Sequence, residues 1–214
     1  RWILENPMGS LKRLKHVDTA PRSLSKNEQA ALTRAIQKEL DAALRQYPKR
    51  WRTYQRDASL VIFLLNTGLR VSEACQVRVV DIQLSERKGS LLVRKGKGRK
   101  ERRVPLNIHA RRALQDWLAV RPESETDHLW TAVERGSGVL SERSVQRILA
   151  RYKKLAGLED FSPHVCRHTF AKNLIDEGVG LEKVAKLLGH ANLNTTKIYI
   201  TPSEQDLELA VEKL

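Results

Sequence analysis

The sequence predicts a mainly α fold carrying one small antiparallel β-sheet, an α+β arrangement. Three observations lead there. Helix caps and helix stops recur along most of the chain. The hydrophobic period changes once, at "SLLVRKGKGRKERRVPL" (90–106), where two short β-type runs flank a glycine-punctuated turn. No internal repeat or low-complexity tract interrupts the pattern. With 214 residues, 41% of them hydrophobic, the chain can bury the core of one globular domain, with room for a small appendage.

Residues 1–24 read as a linker, with prolines at 7 and 21, scattered basic residues and no periodicity. Ser25 and Glu28 then form a capping box for a helix to about Gln46. "YPKRWR" breaks it, and a second helix, about 52–67, stops at Gly68. A short helix follows from Val71 to about Gln76, then the hairpin. Asn107 caps a helix to about Val120, and 121–140 are irregular, with "RGSGV" as an exposed loop. Ser141 caps another helix that stops near Gly157. Ser162 and Pro163 occupy cap and first-turn positions for "HVCRHTFAKNLIDEG", which ends by Gly178. "LEKVAKLL" is amphipathic, with Leu181, Val184, Leu187 and Leu188 on one face. Asn194 caps a short helix carrying Tyr199, Pro202 breaks it, and Ser203 caps a last helix.

Charge narrows the functional classes. The formal net charge is +14, which concentrates polyanions at the surface: nucleic acid first, anionic membrane second. A membrane span needs roughly 20 apolar residues; the longest run, "ASLVIFLL" (58–65), is a buried-helix length. "RWILENPMGS" has no apolar core segment of a secretion signal. Two cysteines, Cys75 and Cys166, are too few for a disulfide framework or a zinc site, so a reducing intracellular location is the default. The chain begins at Arg1, which reads as a fragment or processed product of something longer. The charge is also uneven. Residues 87–103 hold nine Lys or Arg against Glu101 alone, whereas 203–214 hold four acids and Lys213. The hairpin is therefore expected to touch phosphates and the C-terminal helix to avoid them.

Four stretches carry the candidate chemistry, and each has a plainer reading beside it. In "TGLRVSE" (67–73), Arg70 follows a helix stop and opens the next helix, where backbone N–H groups and a guanidinium can converge on an anion; a surface salt-bridged arginine is the alternative. Lys97 lies between two glycines at the hairpin tip, where an ammonium can enter a groove and deliver a proton, or be merely solvated. In "SPHVCRHTF", His164 and Arg167 share a helix face. His164 and His168 have the i, i+4 spacing of helical zinc sites, but Val165 stands where such a motif has glutamate, and Arg167 would put a fixed positive charge beside the metal. A packed core histidine is a second alternative for His168. In "LLGHANLNTTKIY", His190 follows a helix end and Tyr199 lies nine residues on, where a core or surface aromatic is the alternative.

In chain order these are Arg, Lys, His-x-x-Arg, His, Tyr. The set resembles the catalytic domain of the tyrosine recombinase family, which includes phage integrases. "TGLRVSE", "GKGRKERRVPL", "HVCRHTFA" and "LLGHANLNTTKIY" match its boxes in order and spacing from about Leu24 to the C-terminus. Only the third and fourth boxes are specific alone; the ordered set is very specific. Cys166 replaces the usual leucine, a conservative change at a buried apolar position. The family's N-terminal DNA-clamping domain has no counterpart, and "ENP" looks like the end of its connector.

The resemblance implies the family's catalytic-domain fold and a site-specific recombinase that cuts and rejoins DNA without ATP or metal. Residues 25–202 would form the catalytic domain, and 203–214 a helix docking in cis or on a neighbouring subunit, since its stripe of Leu207, Ala210, Val211 and Leu214 must be buried somewhere. Arg70 and Arg167 would clamp the phosphate, and Tyr199 would attack it to leave a 3′-phosphotyrosyl bond. Lys97 would protonate the 5′-oxygen, His164 act on the tyrosine proton, and His190 hydrogen-bond the phosphate. Glu73 would orient Arg70 through an ion pair. No cofactor is implied. The partners would be double-stranded DNA and further protomers, a tetramer on synapsed DNA and a monomer or weak oligomer without it, in a prokaryotic cytoplasm at the nucleoid. Two other readings stand: a type IB topoisomerase-like relaxing enzyme, with similar chemistry but no second DNA, and a non-catalytic basic DNA- or RNA-binding protein, which explains the charge but not the ordered set.

Overall fold

The computed structural model describes residues 21–94, 101–133, 138–190, 196 and 211–212. The greater part of the expected linker, Lys97 with the hairpin tip, residues 135–137 of the "RGSGV" loop, Asn194, Tyr199 and nearly all of the last expected helix lie outside the described residues. Among the described residues the chain runs α1 (Lys26–Gln46), α2 (Trp51–Thr67), α3 (Val71–Cys75), a 3₁₀ turn (Val79–Asp81), β1 (Ile82–Leu84), β2 (Gly89–Val93), β3 (Arg102–Pro105), α4 (Ile108–Leu118), α5 (Glu142–Ala156), α6 (Pro163–Asp176) and α7 (Leu181–Leu188). The mainly α fold with a small antiparallel sheet is thus what the chain adopts.

The caps act as the sequence indicates. Ser25 Oγ accepts the Glu28 N–H while Glu28 Oε2 accepts the Ser25 N–H, which satisfies orphan donors at the start of α1. Asn107, Ser141 and Ser162 each accept from the backbone N–H three residues on, fixing the starts of α4, α5 and α6. Gly68 ends α2 with φ +60°. A Cβ there would overlap Phe170 Cδ1 and lie 2.9 Å from Leu188 Cδ2, so both backbone hand and tight packing call for glycine.

The sheet has order β1-β2-β3 with both pairs antiparallel. Leu91 in the central strand faces Ile82 on one side and Val104 on the other, and Leu91 and Val104 are fully buried. Strand β1 was absent from the sequence expectation because its three residues are too few to show a period. The last described pair before the hairpin tip is Val93 with Arg102. At that end Arg94 is tied to the buried Asp81 carboxylate, Nε to Oδ1 at 2.7 Å.

The core lies between α2, α4 and the sheet and extends to α1, α5 and α6. Trp130 packs against Phe63 and Trp117, with centroids 5.5 and 6.5 Å away. Trp117 Nε1 donates to the Leu129 carbonyl at 2.8 Å, so this buried indole keeps its hydrogen bond. A buried charge network crosses the other side. Asp57 Oδ1 accepts from Arg56 Nε and Nη2, and its Oδ2 from Arg151 Nη2 at 3.0 Å. Arg151 also pairs with Glu39, so one guanidinium joins α1, α2 and α5. Helix α6, which bears the histidine–arginine motif, is fixed to the start of α1. The Leu24 N–H donates to Thr169 Oγ1 at 2.8 Å, and Gln29 and Asn173 exchange amide hydrogen bonds.

Candidate active site

Arg167 is the fifth residue of α6 and only 5% exposed. A buried guanidinium must have its donors satisfied. Its Nη1 donates to the Gly68 carbonyl at 2.7 Å, and its Nη2 to the Leu188 carbonyl at 2.8 Å. One side chain therefore joins the α2–α3 turn to the C-terminus of α7. Arg70 lies two residues beyond the first of these carbonyls and His190 two beyond the second. The close packing of Gly68 against Phe170 and Leu188 brings the same three elements together.

His190 completes the contact. Its Nε2 lies 2.9 Å from Arg167 Nη2, and its Nδ1 lies 2.8 Å from Oγ1 of Thr196, which is fully buried. Burial pushes the His190 imidazole down to about 4, and the charges of Arg167, Arg70 and Arg102 and the neighbouring His168 push the same way. His168 is also held down to about 4, by burial first and then by His164 and Arg167. The His164 and His168 rings stack 6.3 Å apart. His164, in the first turn of α6, is exposed, whereas Arg167 one turn on is buried. Among the described residues no group of three His, Cys, Asp or Glu could hold a metal ion. Burial raises both thiols, Cys75 to about 11 with help from Glu142, and Cys166 further; neither environment favours a thiolate.

Arg70 precedes α3 and keeps a side chain 29% exposed. The Arg70 N–H donates to Glu73 Oε2 at 2.9 Å, and Arg70 Nη1 to Glu73 Oε1 at 3.2 Å. The ion pair expected between these two exists, but a second arginine takes the larger part of the carboxylate. Arg102 of β3 donates Nη1 to Oε1 at 2.9 Å and Nη2 to Oε2 at 2.8 Å. Burial pushes the Glu73 carboxyl up, but the bonds from Arg102 and the Arg70 backbone, with the two guanidinium charges, outweigh it and hold it at about 2.

The structure therefore brings together Arg70, Arg167 and His190, with His164 one turn before Arg167. Lys97 and Tyr199 lie outside the described residues. Sequence reasoning missed two members of the cluster, Arg102 and Thr196. Arg102 is one of nine cations in a basic stretch, and nothing in the one-dimensional pattern sets it apart. Thr196 lies in a segment from which the sequence singles out His190, the Asn194 cap and Tyr199, and nothing marks it apart from the adjacent Thr195.

Two guanidiniums close enough to an imidazole to depress its pKa make a cationic donor set suited to an oxyanion. The chain that carries it belongs to the tyrosine recombinase, or phage integrase, family: the model of the phage integrase family matches residues 25–206. Tyrosine recombinase XerA of Thermococcus kodakarensis is 38% identical over 193 residues, covering 90% of this chain and 64% of that protein. Tyrosine recombinase XerC of Thermodesulfovibrio yellowstonii is 40% identical over 154 residues, 69% of this chain and 50% of that one. The chain thus spans about half to two thirds of the length of these curated relatives. Among solved structures, XerH site-specific recombinase bound to its palindromic difH substrate in a post-cleavage complex matches with a TM-score of 0.74 and 30% identity, over 91% of this chain and 53% of that one. The crystal structure of XerA recombinase matches with a TM-score of 0.73 and 28% identity, over 91% and 65%.

Proposed function

We propose that this chain contains the catalytic domain, about residues 25–202, of a site-specific DNA recombinase that cuts and rejoins strands through a covalent 3′-phosphotyrosyl intermediate. The observation that carries the reading is the Arg167 guanidinium, buried and in contact with His190 at 2.9 Å beside the Arg70 turn. Arg70 and Arg167 would bind the non-bridging oxygens of the scissile phosphate and stabilise the extra charge of its pentacoordinate transition state. Losing one such donor costs on the order of a hundredfold or more in rate. A free phenol gives up its proton only near pH 10, so Tyr199 would need a base to attack; exposed His164 is open to that role. Lys97 would return a proton to the departing 5′-oxygen. His190 would turn from Arg167 to the transferring phosphate. One phosphodiester bond breaks and one phosphotyrosyl bond forms, so the bond energy is retained and no nucleotide is consumed. Attack by a 5′-hydroxyl of a second DNA then exchanges strands.

The complex of XerH with its palindromic difH substrate supports DNA as the partner. The net charge of +14 supports it also. Further protomers, a tetramer on paired DNA sites, would complete the reaction in the cytoplasm at the nucleoid. Residues 1–24 would connect to a domain that helps read the site, and 203–214 would dock in cis or on a neighbour.

A pool of random-sequence duplexes, nicked so that cleavage is trapped, tests this with the full-length protein. Protein-linked DNA recovered under denaturing conditions from wild type, and absent with Tyr199→Phe, is the expected result. Adduct persisting in Tyr199→Phe rejects Tyr199, and no adduct with wild type rejects the enzyme in favour of a passive DNA binder. Recombinant product from the captured sites, rather than relaxation of a supercoiled plasmid alone, separates a recombinase from a topoisomerase.

A further inference from the structure

We propose that Arg102 is a positioning residue that keeps Arg70 available to the phosphate, by clamping the Glu73 carboxylate as a fork and locking it to the α7 end that leads into His190. The inference rests on the reading of Arg70 as a phosphate clamp.

The geometry is one of competition for a single carboxylate. Glu73 Oε1 receives Arg102 Nη1 at 2.9 Å and Arg70 Nη1 at 3.2 Å. Oε2 receives Arg102 Nη2 at 2.8 Å and the Arg70 backbone N–H at 2.9 Å. Arg102 thus makes the paired, shorter contacts and leaves the Arg70 side chain one longer bond. Two parallel N–H···O bonds are the strongest arrangement open to an arginine and a carboxylate. Charge follows geometry. Arg70 and Glu73 alone sum to zero, and a phosphate would gain little from them. With Arg102 included the set is +1, and the more exposed cation is Arg70, 29% exposed against 15% for Arg102.

The third donor of Arg102 reaches elsewhere. Its Nε donates to the Leu187 carbonyl at 3.0 Å, at the end of α7. The guanidinium then lies against Gly189: a Cβ there would stand 3.0 Å from Cζ and Nη1, and 3.1 Å from Nε. Gly189 has φ +67° and is followed by His190, so the turn that aims His190 is built on the Arg102 guanidinium. Arg102 also forms the last described pair of the hairpin, opposite Val93, five residues after Lys97 in the chain. One side chain thereby holds the supports of Arg70 and His190 in a single register. A residue that touches no substrate can still cost a site about 10- to 100-fold through such support.

The test uses full-length protein on the trapped duplexes captured as above, with DNA affinity and single-turnover cleavage measured separately. Arg102→Met is expected to slow cleavage about 30- to 100-fold while DNA affinity stays within about threefold, because Glu73, released, captures Arg70. Adding Glu73→Gln should then restore cleavage by at least about fivefold, since the freed carboxylate is gone; a purely structural role of Arg102 gives a double variant as slow as the single or slower. Arg102→Lys, which keeps the charge without the fork, should lie between. If Arg102→Met does not fold, Arg102→Lys decides: a fall of about three- to tenfold at retained affinity supports the fork, and a wild-type rate overturns it. An unrescued double variant also overturns the proposal. Failure of wild type to form any adduct would instead sink the recombinase reading, so the two failures are distinct.

Discussion

The Arg167 guanidinium donates to Nε2 of His190 across 2.9 Å. An arginine has no acceptor, so Nε2 must carry the lone pair. The neutral ring then bears its proton on Nδ1, which donates to Thr196 Oγ1 at 2.8 Å. In this arrangement the ring is therefore neutral, in one tautomer, and points its lone pair at the arginine. A phosphate arriving between them reverses this polarity, since Nε2 must then donate. Nitrogen shifts of His190 in the DNA-free protein should show an Nδ1-protonated neutral ring at pH 7. A proton on Nε2 would refute the assignment. Thr196→Val, nearly isosteric, removes the Nδ1 acceptor and should slow cleavage about tenfold, with little effect on DNA affinity.

Stability should fall on mild acidification. The imidazoles of His168 and His190 lie at about 4 in the folded protein, below the ordinary histidine value of 6.5. Between those values the unfolded chain binds more protons than the folded one, so stability is full above about 6.5 and is lost as pH falls toward 4. Glu73, at about 2 against an ordinary 4.5, adds a second loss below that window. Calorimetric Tm should therefore drop steadily from pH 7 to 4.5. The drop should be shallower in a folded His168→Gln, His190→Gln double variant, and an equally steep drop there would assign the effect elsewhere.

Much of this fold was legible because helix ends are chemically marked. Ser25 with Glu28, Asn107, Ser141 and Ser162 with Pro163 name their helix starts, and Gly68, Gly157 and Gly178 their stops, within a residue or two of where the structure has them. Strand β1 was not legible, because three residues carry no period and its pairing partner supplies the reason to extend. In the site, residue identity pointed to Arg70, Arg167 and His190, but not to how they meet. Arg167 reaches the other two elements through the Gly68 and Leu188 carbonyls, and backbone carbonyls leave no mark in a sequence. Arg102 stayed hidden for a related reason: a cation whose partner, Glu73, is 29 residues away looks like its solvated neighbours.

Asp57 offers a test of the buried charge network that supports the far side of the domain. The carboxylate is 2% exposed and accepts from both Arg56 and Arg151. Removing it leaves the buried Arg56 without a carboxylate partner, while Arg151 keeps Glu39; breaking a buried pair in this way typically costs about 3–5 kcal/mol. Asp57→Ala should lower the urea midpoint accordingly with an unchanged m-value. A loss below about 1 kcal/mol would mean that water screens this network despite its burial.

Gly68 and Gly189 should respond differently to the same added methyl group. Both have positive φ, +60° and +67°, so alanine at either strains the backbone by about 1–3 kcal/mol. At Gly68 the methyl also overlaps Phe170 and approaches Leu188, two buried side chains in a packed core that can move only by opening it. Overpacking adds about 1–3 kcal/mol, so Gly68→Ala should lose about 2–6 kcal/mol of stability. At Gly189 the methyl meets the end of a long, partly exposed side chain, Arg102, which can yield. The stability loss there should stay near the backbone strain alone. But if Arg102 yields, its grip on Glu73 and the Leu187 carbonyl loosens, and cleavage should fall about tenfold or more at full folded occupancy. Urea titrations and single-turnover cleavage on the two variants measure both quantities. Wild-type activity per folded molecule of Gly189→Ala would show that the contact between Gly189 and Arg102 has no bearing on the site.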